Sequence, residues 1–76
     1  MNDIKAVVTS VHNDTSEGTT RINLRWEGKH EISDFRTEDF GEILNSDSED
    51  EESGWIQIRF PTNAQPGDSV PLRPLD

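Results

Sequence analysis

The net charge of this chain sits entirely in its middle third. Between Glu27 and Glu52 eleven acids (Glu27, Glu31, Asp34, Glu38, Asp39, Glu42, Asp47, Glu49, Asp50, Glu51, Glu52) stand against two bases, Lys29 and Arg36, a net of −9. Residues 1–26 balance Asp3, Asp14 and Glu17 with Lys5, Arg21 and Arg25, and residues 53–76 balance Asp68 and Asp76 with Arg59 and Arg73. The densest part, Asn45-Ser46-Asp47-Ser48-Glu49-Asp50-Glu51-Glu52-Ser53-Gly54, predicts an acidic, solvated loop over 45–54, as blocks of like charge usually are. Apolar residues fall elsewhere, in short alternating runs.

Seventy-six residues make one small domain, 1–76. A domain of this size buries only roughly 60% of its unfolded surface, so stability is marginal without help. There is no cysteine, which excludes a disulfide staple and a thiolate zinc site. Low hydrophobic content (29%) and a mean hydropathy of −0.85 lean toward disorder, but the clustering of the apolar residues argues for a fold. No apolar run approaches a membrane span and no secretory signal is visible, so a cytoplasmic protein is expected. An acidic pI near 4.4 opposes direct binding to nucleic acid or to an anionic membrane.

The apolar runs read as strands. Ile4 to Val11 is β-branched and ends in a polar loop; its alternation breaks, which calls for a bulge near Val7-Val8 or cover on both faces. Thr20 to Trp26 alternates cleanly, with Ile22, Leu24 and Trp26 on the buried face. Lys29 to Phe35 is a further candidate. A three-residue loop over 27–29 would pair Trp26 with His30, Leu24 with Ile32 and Arg25 with Glu31, a better match than a two-residue Glu27-Gly28 turn. Thr37 to Leu44 predicts a short helix, with Thr37 as cap and Phe40, Ile43 and Leu44 at helical spacing. Trp55 to Phe60 alternates again, with Ile56, Ile58 and Phe60 inward. Gln65-Pro66-Gly67-Asp68 is a turn. Residues 69–76, with Pro71 and Pro74, form an edge strand or an extended tail. The expected class is mostly β with one short helix (α+β), as a small antiparallel sheet or partly open barrel of four to five strands.

Chemistry-bearing constellations are few. An EF-hand loop counted from Asp47 would need glycine at its sixth position and glutamate at its twelfth, where Glu52 and Ile58 stand. No metal site and no cofactor are expected. Nucleophilic catalysis needs a positioned histidine, but His12 is in a loop and His30 points away from Glu31, so an enzyme is not expected. Ser46 and Ser48 each have an acid three residues on, a pattern suited to acid-directed phosphorylation. Arg21, Arg25 and Arg59 form a second, basic stripe on the solvent face, too small for a nucleic-acid site and expected to pair internally with Glu31 or the acids of the run. Trp55 is out of phase with Ile56 and Ile58, either as an exposed interface anchor or as a lid under the acid run.

These features lead to a small non-enzymatic protein that binds a basic surface of a partner protein. Its concrete form is an inhibitor that presents carboxylates where a nucleic-acid-binding enzyme expects phosphates. The contacts would be Glu38, Asp39, Glu42, Asp47, Glu49, Asp50, Glu51 and Glu52, with Trp55 as anchor. The alternative is a structural or assembly module that binds through its sheet edge or apolar face, the acid run being idle.

Overall fold

The structure is a computed structural model and describes residues 3–37, 40–59 and 62–75. The described residues form β1 (Ile4–Asp14), β2 (Thr19–Trp26), a 3-10 turn (Ile32–Asp34), β3 (Phe35–Arg36), β4 (Ile43–Asp50), β5 (Ser53–Arg59) and β6 (Ser69–Pro74). They pair antiparallel in one curled sheet, in the order β3-β6-β1-β2-β5-β4, a half-barrel. The mostly β class holds, with six strands rather than four or five.

The buried face is the one the alternation marks. Ala6 and Val8 of β1, Ile22, Leu24 and Trp26 of β2, Ile56 and Ile58 of β5 and Leu72 of β6 close around Ile32 and Phe35. The break in β1 is a bulge between Val8 and Ser10, slightly later than its expected place. That extra residue brings Val11 opposite Ile22 and leaves Val7 facing out. Thr20 is fully buried, and its hydroxyl donates to Asn13 Oδ1 at 2.8 Å, so burial leaves no polar atom unpaired there.

Three expectations are corrected. First, Lys29 to Phe35 is not a hairpin partner of β2. Both edges of β2 are taken, by β1 (Leu24 opposite Val8) and by β5 (Leu24 opposite Gly54). Residues 27–31 bend away, and only Phe35 and Arg36 become a strand, paired with β6.

Second, the helix over 37–44 is cut back, in the described residues, to one turn, in which Phe40 has a 3-10 conformation and its N–H donates to the Thr37 carbonyl at 3.0 Å. Gly41 has φ of +98°, a turn conformation that ends any helix, and Ile43 already belongs to β4. Phe40 and Ile43 still pack against the core, which accounts for their apolar spacing, whereas Leu44 is exposed at 37%. Glu38 and Asp39 lie outside the described residues, as does Phe60.

Third, the acid run is not a loop. It is the edge strand β4 and the two-residue turn Glu51-Glu52 that joins it to β5. Ser46 stands opposite Ile56 and Ser48 opposite Gly54, on the core side, while Asn45 and Asp47 face Gln57 and Trp55 on the outer side. Small serines inward and carboxylates outward let a highly charged segment complete a sheet without burying charge.

The C-terminal segment is a strand between β3 and β1. β3 covers only its Arg73 and Pro74, so Pro71 sits where the second side meets no described strand, as prolines in sheets require. The two ends of the sheet meet through the 3-10 turn. That turn leads into β3 at one end, and its Ile32 N–H donates to Ser48 Oγ of β4 at 2.7 Å. No helix among the described residues is long and apolar enough to cross a membrane.

Candidate functional site

The turn between β4 and β5 is built against the bend that follows β2. The Glu51 carbonyl accepts the Trp26 indole N–H at 3.1 Å and the His30 amide at 2.8 Å, and the Glu52 carbonyl accepts the Trp26 amide at 2.9 Å. Two acidic segments far apart in sequence, 27–34 and 47–52, therefore meet at one end of the sheet. Glu27, Glu31, Asp34, Asp47, Glu49, Asp50, Glu51 and Glu52 are all exposed there. Lys29 Nζ lies 3.9 Å from Glu51 Oε2, an exposed pair of little energetic weight.

Beneath this end lies an aromatic floor. Trp26 meets Phe35 edge-on with ring centroids 5.4 Å apart, and His30 covers Phe35 at 5.3 Å. His30 is thus a packing residue at the end of the core. Gly54 is buried because the Trp26 ring lies on it: a Cβ there would stand 3.0 Å from the ring and 2.8 Å from the Asp47 carbonyl. Only glycine allows this approach without a shift.

The edge of β4 is closed by its own side chains. Asn45 Oδ1 takes the Ser46 N–H at 2.9 Å, and Asp47 Oδ1 takes the Ser48 N–H at 2.8 Å. These amides would otherwise be free to pair with another strand, and capping them protects the edge. At the turn, Asp50 Oδ1 accepts the Glu52 N–H at 2.7 Å. That bond, with the Ser53 hydroxyl and the nearby Arg25 charge, holds the Asp50 carboxyl below the usual carboxylate range. Asp14 is lowered in the same direction, chiefly by the Ser16 hydroxyl and then by the Glu17 amide.

The expected contact residues separate into three groups. Asp47, Glu49, Asp50, Glu51 and Glu52 lie on the acidic edge and turn. Glu42 lies just before β4, opposite the far end of β5, where its Oε2 accepts Arg59 Nε at 2.8 Å. Trp55 is half-buried on the outer face, opposite Asp47, with the Arg21 guanidinium 4.3 Å from its ring centre. It stacks on Arg21 on the outer face rather than packing into the core as a lid under the acid run. Glu27, Glu31 and Asp34 join the acidic end, part of the charged stretch 27–52 expected to form one face; their link to the turn runs through backbone carbonyls rather than through a hairpin with β2.

Among the described residues no three His, Asp or Glu side chains gather as ligands for a metal ion. Ser48 is occupied as the acceptor for Ile32 and is half-buried, whereas Ser46 is exposed. No protein-family model, no curated protein and no solved structure matches the chain.

Proposed function

We propose that the acidic end and edge of this sheet bind a basic surface on a partner protein, and that the partner surface is one that ordinarily holds nucleic acid. The observation that supports this most is the joining of residues 27–34 to the β4–β5 turn through the Glu51 and Glu52 carbonyls. It turns two charged stretches into one patch of exposed carboxylates, flanked by neutral sheet. The capped amides of β4 direct recognition to side-chain charge rather than to backbone pairing.

Such a complex forms fast at low salt and weakens steeply as salt rises. The test is capture from the native source at low salt, eluted with a salt gradient, using the natural chain beside one in which Glu49, Asp50, Glu51 and Glu52 are reversed to lysine. The partner should be lost from the reversed chain and should be displaced from the natural one by added nucleic acid. A partner retained equally by both chains sinks the proposal. Substitution is used because deleting residues 46–53 would remove most of the edge strand β4. The module reading keeps one supporting observation, the side of β6 that no described strand covers over Ser69 to Leu72. It predicts that blocking that side, and not the charge reversal, abolishes binding.

A further inference from the structure

We propose that His12, Arg21 and Gln57, on the outer face of the sheet, form a seat for a phosphoryl group, with Arg21 as its principal donor. His12 stands opposite Arg21, Arg21 opposite Gln57, and Gln57 opposite Asn45, one row across four neighbouring strands. The row offers an imidazole, a guanidinium and two carboxamides. It contains no carboxylate, in a chain with sixteen of them.

Arg21 is held in place before any ligand arrives. Its Nε donates to Asn23 Oδ1 at 3.3 Å, and its guanidinium lies over the Trp55 ring. A stacked, anchored guanidinium loses less freedom on binding an oxyanion than a mobile one. Arg59 is engaged by Glu42 and Arg25 lies near Asp50, but among the described residues Arg21 has no carboxylate partner. Arg21 lines a shallow concavity together with His12, Thr19 and Gln57. Asp14 reaches the same concavity, but its Oδ1 is turned into the β1–β2 turn, where it accepts Ser16 N, Ser16 Oγ and Glu17 N at 3.1, 2.7 and 3.1 Å.

The spacing selects the ligand. Neighbouring strands lie about 4.8 Å apart, so the backbones of His12 and Gln57 flank that of Arg21 at about that distance, and the three side chains share the outer face. A carboxylate engages the guanidinium fork alone, whereas a phosphoryl group carries a third oxygen for a flanking donor. The acidic remainder of the protein repels a long polyanion, which leaves a compact group as the occupant.

The test titrates isotopically labelled protein with inorganic phosphate and, separately, with adenosine monophosphate, at constant ionic strength. Chloride and acetate serve as controls, and the Arg21 Nε–H and Trp55 indole N–H resonances are the readout. Phosphate should move both resonances saturably. R21K should weaken binding about tenfold or more, since it keeps charge but loses the fork. R21Q should abolish binding, and both variants should keep the natural amide spectrum away from Asn23 and Trp55, because Arg21 is exposed. Equal affinity for the two phosphates means the phosphoryl group alone is recognised. Tighter binding of the monophosphate means its organic part adds contacts, and either result supports the seat. Shifts reproduced by acetate or chloride, shifts that never saturate, or binding unchanged in R21Q would overturn it.

Discussion

β2 and β4 are both eight residues long, and both pair with β5, one on each side. β2 buries Thr19, Thr20, Ile22, Leu24 and Trp26; β4 buries nothing fully, and only Ile43 and Ser48 are half-buried. One strand is held by side chains and supplies the core. The other is held by its ladder, by one serine and by local amide caps, and it supplies charge. Stability and surface chemistry are thus assigned to opposite sides of a single strand, β5. A fold this small can carry a net charge of −9 because the strand that bears most of the charge density contributes little to the core.

The largest test of this division is truncation in β2. Leu24→Ala should destabilise the fold by about 2–5 kcal/mol, read by chemical denaturation, because the cavity adds to the lost transfer energy. An effect below that range would mean the core is not centred on β2. Gly54→Ala comes next, at about 1–3 kcal/mol, since a methyl group there meets both Trp26 and the Asp47 backbone. A neutral outcome would show that Trp26 does not rest on β5.

Ser48→Ala should cost about 1 kcal/mol through loss of the Ile32 clasp. Hydrogen exchange at the Ile32 amide should accelerate more than exchange in β2. Substitutions on the outer side of β4 should matter least. Glu49→Gln should shift stability by no more than about 0.5 kcal/mol while weakening partner capture, the reverse of Leu24→Ala.

The pH response sharpens the contrast further. Asp50 and Asp14 have carboxyls lowered in the folded state, so each contributes stability that is present above the unfolded carboxyl range. That contribution is lost as pH falls through the lower, folded value. Followed through the Glu52 amide resonance, Asp50 should titrate below an ordinary carboxyl. Asp50→Asn should remove that transition and leave the β2 amides unmoved.

Much of the core was legible from alternation. Ile22, Leu24, Trp26, Ile56 and Ile58 face inward as their spacing requires, because period two is a property of the strand itself. The acidic segment departs from expectation because its charge density is that of a solvated loop. Its Asn-Ser-Asp-Ser alternation carried the strand signal all the same, with serines placed where a large residue would crowd Gly54. The spacing of Phe40, Ile43 and Leu44 imitates a helix because two of the three reach the core by different routes.

What the sequence determined alone is the separation of material: apolar alternation in the neutral flanks, a net of −9 in the middle, and no chemistry that needs cysteine. Those follow from composition and period, which are local. What only the tertiary structure decided is adjacency. That Glu51 and Glu52 meet Trp26 and His30, that Arg21 stacks on Trp55, and that Ser48 clasps Ile32 are contacts between strands whose order no local signal records. The acid run of the sequence became an edge and an end of the sheet because β5 had one free side, and a strand of serines and carboxylates covers that side without burying a charge.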